Sequence, residues 1–112
     1  MAFTYNLAST DTDLLNISKV RFEIGDTVSG VGVRPDGSNL TDEEIMMLLT
    51  DESNDIKLAA SRACDALSSA WSLVANEQVG PRKTELGAIS EKFEKRATGL
   101  RSQSTSYAAT IY

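Results

Sequence analysis

Histidine is absent from this chain of 112 residues, and cysteine occurs once. Without histidine there is no His-based zinc site and no Ser-His-Asp triad. One cysteine, Cys64, excludes an internal disulfide. It lies in an alanine-rich helical stretch and reads as a small buried or half-buried apolar residue. A nucleophilic thiol needs a base, and no imidazole is there to supply one. Aromatic residues are scarce, with three Phe, three Tyr and one Trp. The core must therefore come from Leu, Ile, Val and Ala, which suits packed helices. No apolar run approaches the ~18 residues of a membrane span. The opening MAFTYNLAST has neither the basic start nor the apolar centre of a secretory signal. The expectation is a cytoplasmic protein, or part of a particle assembled in the cytoplasm. The Asn-x-Ser/Thr triplets at Asn16 and Asn39 are then chance matches.

What is present fits one small domain, residues 1–112, with a modest core. The 41% hydrophobic and 24% charged content is that of a globular chain. The net charge of -5 is unevenly spread. By count it is -2 over residues 1–40, -5 over 41–65 and +2 over 66–112. An acidic middle and a mildly basic last third point to two faces with different partners. The balance is wrong for a tight grip on nucleic acid.

Residues 1–10 are polar and aperiodic and read as an extended N-terminal arm. Phe3 and Tyr5 share one side of it and are candidates for docking on a neighbour. Asp11 or Thr12 can cap a first helix, with Asp13 favourable in its first turn. Leu14, Ile17, Val20 and Ile24 recur at helical spacing, with Leu15 and Phe22 on an adjoining strip. Two apolar strips on so short a helix imply contact beyond its own core. Gly25 ends it, because glycine enters the left-handed cap without steric cost.

Residues 26–40 form a long glycine-rich loop. Gly30, Gly32 and Gly37 lie there, Val28, Val31 and Val33 show no helical rhythm, and PDGSN signals a turn. The loop exceeds the usual connection of about 4–6 residues. Its GVGV stretch lacks the third glycine, the helix start and the lysine of a phosphate loop. Thr41 and Glu44 then form a capping box at the start of a second helix. Asp42 and Glu43 complement its dipole. Ile45, Leu48 and Leu49 face the core, and Met46 and Met47 broaden the apolar surface. Asp42, Glu43 and Glu44 do not make a metal site or an acid/base pair. Adjacent helical residues diverge by ~100°, so the three cannot converge on one ion.

The break at 51–54 leads to the longest helix, about 55–77, capped by Ser53 or Asn54. Ile56, Ala60, Ala63, Leu67, Ala70 and Val74 make its apolar face. Trp71 lies beside that face as a packing anchor. Gly80 and Pro81 stop the helix, and Arg82 and Lys83 form a basic corner. Thr84 can cap a final helix, about 85–102, with Leu86, Ile89, Phe93, Arg96 or Ala97, and Leu100 as its stripe. Glu91 and Lys95 are a favourable i,i+4 pair. Gly87 and Gly99 each weaken that helix by about 1 kcal/mol relative to Ala. The helical core thus covers about 11–102, with a C-terminal arm at 103–112. In the arm Tyr107, Ala109 and Ile111 alternate with Ala108, Thr110 and Tyr112. Period two suits a strand, but a helical domain offers a lone terminal strand no partner, so the arm reads either as a disordered tail or as a strand added to a sheet edge on another protein. The fold class is mainly α: a small four-helix domain with extended N- and C-terminal arms and a long Gly-rich loop.

Four segments in this order carry a resemblance: DLLNISKVRFEIGDT, LTDEEIMMLL, DIKLAASRACDALSSAWSLVA, and a last helix after a Val-Gly break. The chain resembles the head–tail connector proteins of long-tailed bacteriophages, also called head-completion or adaptor proteins. Its longer Gly-rich loop and its polar-then-apolar tail depart from that pattern.

The resemblance implies a structural virion protein with no enzymatic activity and no cofactor or metal. Such proteins form a homo-oligomeric ring, usually a dodecamer, below the portal protein in the neck of the virion. The ring joins the DNA-filled head to the tail and docks a stopper or tail-completion protein. It also extends the channel through which DNA passes without specific binding. An acidic lining would suit a conduit, since it would not hold the strand. Asp42, Glu43, Asp51 and Glu52 are candidates for an acidic channel or interface. Arg82 and Lys83 are candidates for an inter-subunit or portal contact, and Tyr107, Ile111 and Tyr112 for a portal-binding arm. No membrane partner is expected. The alternative is a small cytoplasmic helical regulator or antitoxin-like binding protein. For DNA binding it would use the 49–55 break as a helix-turn-helix, where Asp51, Glu52 and Asp55 would repel phosphate.

Overall fold

The computed structural model describes residues 3–78 and 80–104. They form a mainly α, compact four-helix domain. Among the described residues no strand is present, and Val28 and Val31 make only an isolated bridge. The helices are α1 (Thr12–Ile24), α2 (Asp42–Asp51), α3 (Ile56–Asn76) and α4 (Pro81–Gln103).

Local chemistry sets most of these boundaries. Asp11 caps α1 by accepting from the Leu14 amide at 3.1 Å. Gly25 closes it in the left-handed conformation, φ +80°. Thr41 and Glu44 make both bonds of the capping box on α2. Between α2 and α3, Ser53 and Asn54 take positive φ. They form the turn, and Asp55 caps α3 by accepting from the Leu58 amide at 3.0 Å. The cap expected at Ser53 or Asn54 thus falls one residue later.

The last helix also begins earlier than its sequence signal. Pro81 occupies its first turn, and Gly80 precedes it with φ +69° and no side-chain cap. Proline suits that position because its missing N–H would be an orphan donor anyway. Thr84 is therefore inside α4, and Arg82 and Lys83 lie in its first turn, not in a corner before it.

Helix α3 is the hub, with α1, α2 and α4 all packed against it. The core gathers Ile17, Val20 and Ile24 from α1, Leu40, and Ile45 and Leu49 from α2. It adds Ala59, Ala60, Ala63, Cys64 and Leu67 from α3, and Ala97 and Leu100 from α4. Small residues on α3 let its neighbours approach closely. Ala70 and Val74, expected on the same face, are only half-buried. Farther along the α3/α4 hairpin, Ala75 and Leu86 are buried, and the Ser90 hydroxyl donates to the Ser68 carbonyl at 2.8 Å.

Candidate functional site

The strongest polar constellation is built around Arg21, whose residue is fully buried. Its Nε donates to the Thr4 carbonyl, and Nη1 donates to Asp26 Oδ2 and to the Leu40 carbonyl, each at 2.8 Å. Nη2 donates to Asp42 Oδ1, also at 2.8 Å. The Phe3 ring covers the guanidinium at 4.1 Å, a cation–π contact. One side chain on α1 thus ties together the N-terminal residues, the end of the connecting segment and the start of α2.

Both carboxylates are satisfied from more than one side. Asp26 also accepts from the Leu40 amide at 2.9 Å and from Asn39 Nδ2 at 2.7 Å. Asp42 also accepts from the Thr4 amide at 2.8 Å and from its hydroxyl at 2.6 Å. Burial works to raise the Asp42 pKa. The hydrogen bonds from Thr4 and Arg21 outweigh it and hold the carboxyl below its ordinary value. With these partners supplied from inside the chain, the centre clasps three segments together.

Sequence reasoning passed over Arg21. Its signal was a positional one. Ile17, Val20 and Ile24 set a buried stripe, and Arg21 sits at i+4 from the first and i-3 from the last. A charge in such a stripe requires buried partners, and Asp26 and Asp42 are the acids nearest the two ends of the following segment.

That segment, residues 26–40, closes on itself. The Gly32 amide donates to the Gly37 carbonyl at 2.9 Å, and the Gly30 amide donates to Asn39 Oδ1 at 2.8 Å. Arg34 pairs with Glu44, linking the loop to α2. The half-buried Trp71 donates its indole N–H to the Val33 carbonyl at 2.8 Å. The expected packing anchor is therefore also a hydrogen-bonded tether between α3 and the loop. Val28 and Val31 remain exposed at 56% and 69%.

The candidate contact residues fall in different settings. Phe3 is spent on Arg21, and Tyr5 is half-buried beside it in sequence. Asp42 is buried and committed to Arg21 and Thr4, so it does not join a solvent-facing acidic set. Glu43 is exposed. Asp51 and Glu52 both approach Arg62, at 3.2 and 3.5 Å. Arg82 and Lys83 are exposed on α4, with Arg82 at 3.9 Å from Glu85. Tyr107, Ile111 and Tyr112 lie outside the described residues.

A second surface centres on Phe22, which is 58% exposed. Here α1 and α4 leave a depression of about 490 Å³ lined by Phe22, Ile24, Ile89, Lys92, Phe93 and Arg96. A smaller one of about 260 Å³ adjoins it, lined by Leu7, Lys19, Phe22, Ile56 and Lys57. Glu23 stands between them and binds Lys57 at 2.7 Å and Arg96 at 3.4 Å.

Burial pushes the Cys64 thiol up to about 11, so it stays protonated and is a packing atom. Among the described residues no group of three Cys, Asp or Glu side chains is arranged to hold a metal ion. No helix formed by them is long and apolar enough to cross a membrane. Comparisons with family models, with curated proteins and with solved structures gave no match to this chain.

Proposed function

We propose that the chain is a structural subunit of a bacteriophage head–tail connector. It assembles as a ring, a dodecamer by the family pattern, below the portal protein and extends the DNA channel toward a stopper or tail-completion protein. The observation that supports this reading is the succession of four helices, the first three begun by a capping side chain and the fourth by Gly80 and Pro81. Their stops and starts fall within the segments that carry the resemblance: Gly25 after α1, the Thr41–Glu44 box on α2, and the glycine break before α4.

Surface chemistry adds support. Leu7, Phe22, Val28, Val31, Met47 and Leu73 are large apolar side chains with at least 49% exposure. They occur on the N-terminal segment, α1, the loop, α2 and α3. Copies meeting head to tail in a closed ring would cover such residues on more than one side. In this reading the C-terminal arm and the Gly-rich loop are contact elements, whereas Phe3 and Thr4 are held on the chain's own Arg21 and Asp42. Glu43, Asp51 and Glu52 offer the acidic surface, and Arg82 and Lys83 a basic one. Tyr107, Ile111 and Tyr112 are the portal-binding residues.

Electron microscopy of the purified particle, with the protein localised by a bound antibody fragment, tests the proposal. Label at the neck between portal and tail is expected. Its absence there, or label on the capsid shell alone, would sink it.

A further inference from the structure

The depressions on either side of Glu23 form one trough across α1, α3 and α4, with Phe22 shared between them. Its apolar lining comes from Leu7, Phe22, Ile56, Ile89 and Phe93, and its polar centre is already satisfied. Lys19 and Lys92 stand at its rim without an ion pair among the described residues. A third depression, of about 300 Å³, shares Lys92 and Arg96 and extends to Gln103.

The described chain ends beside this trough. Ser104 is buried, and its hydroxyl donates to Asp55 Oδ2 at 2.8 Å. Asp55 caps α3, and the next two residues, Ile56 and Lys57, line the trough. Beyond Ser104 the sequence continues TSYAATIY, with no Asp, Glu, Lys or Arg. Such a segment can lie on apolar surface without burying a charge. Its tyrosines suit the lysines at the rim, which can approach ring faces. Reach is sufficient. Eight residues span up to about 26 Å at 3.3 Å each, whereas Phe93 lies about 16 Å back along α4 from Ser104 at 1.5 Å per residue.

We infer that residues 105–112 of the same chain bind in this trough, seating Ile111, seven residues past Ser104, against Phe22 and Phe93. The tether favours its own tail over that of a second copy, because closure from a fixed point eight residues away is intramolecular. This binding does not depend on the connector reading. If that reading also holds, the tail must leave the trough before it reaches a portal.

Paramagnetic relaxation in the full-length protein tests the inference. A spin label on Thr110→Cys reacts selectively, because Cys64 is buried and its thiol stays protonated. In dilute protein, amide signals of Phe22, Ile89 and Phe93 are expected to broaden, with those of Val31 and Met47 unchanged. Adding Phe22→Asp, at an exposed position, should abolish the broadening without unfolding the domain. No selective broadening at the trough would overturn the inference. So would broadening seen only when spin-labelled chains are mixed with isotope-labelled ones, which would make a second copy the occupant.

Discussion

The Arg21 guanidinium meets the Asp42 carboxylate at 2.8 Å across the junction of α1 and α2, with Arg21 wholly buried. The pair joins residues 21 positions apart and carries Thr4, Asp26 and Leu40 with it. A charge taken out of water on this scale is tolerated only because nearly every donor and acceptor finds a partner.

Removing the cation should therefore be costly. Arg21→Met leaves two carboxylates buried without their counter-ion, a loss of about 3–5 kcal/mol. Urea unfolding followed by circular dichroism measures it. The triple variant with Asp26→Asn and Asp42→Asn should recover part of that loss. A single Arg21→Met variant as stable as the parent would refute the clasp.

The same pair sets a pH dependence. The folded-state pKa of Asp42 is depressed, so the unfolded chain binds its proton more tightly. Its contribution is complete above the ordinary carboxylate value of about 3.9 and is lost as pH falls through the lower folded value. Glu44 acts with the same sign. Burial raises its pKa, but bonds from Arg34 and Thr41 more than offset that. Asp42→Asn should thus be less stable than the parent at pH 7 and show a flatter decline below about pH 4. Equal slopes of stability against pH in the two proteins would contradict this.

Two glycines should respond in opposite directions to alanine. A Cβ on Gly32 would lie 1.8 Å from the Ser38 carbonyl oxygen, within the loop backbone, so the loop must move. Gly32→Ala is expected to cost roughly 1–3 kcal/mol. A Cβ on Gly87 meets nothing within 4 Å, and the residue lies inside α4. Gly87→Ala should stabilise by about 0.5–1 kcal/mol. Thermal melts of both variants decide the matter, and a shift of the same sign in each would refute it.

Trp71 is the one tryptophan of the chain and bonds the loop directly. Trp71→Phe keeps a ring but removes the N–H donor to Val33, at a cost of about 1 kcal/mol. Indole emission is also a reporter of the loop. Gly32→Ala should shift it to the red as the loop loosens over Trp71. An unchanged spectrum in a folded Gly32→Ala protein would show that loop and indole are uncoupled.

The sequence alone determined the existence of the four helices, their order and most of their stops. Those features depend on chemistry within a few residues. Gly25 supplies a left-handed cap, Thr41 and Glu44 close a box, and apolar spacing marks the inner faces. Where two local signals competed, the nearer one misled. Thr84 is a good cap by type, yet Pro81 already fits the first turn of α4. Ser53 and Asn54 can cap by type, yet their positive φ places them in the turn, and Asp55 takes the cap.

Only the tertiary structure decided what Arg21, Asp42 and Trp71 do. From sequence, Asp42 is a first-turn acid that favours a helix dipole, and nothing local distinguishes it from Glu43. The fold separates them. Asp42 turns inward to meet a buried cation, and Glu43 stays in solvent. Likewise Trp71 meets Val33, which is 38 residues away. Phe22 becomes the shared wall of a trough once α4 lies across from it. The physical reason is the same in each case. Helix starts and stops are settled by neighbours in sequence, whereas the partner of a buried charge or an exposed ring is chosen by packing between distant segments.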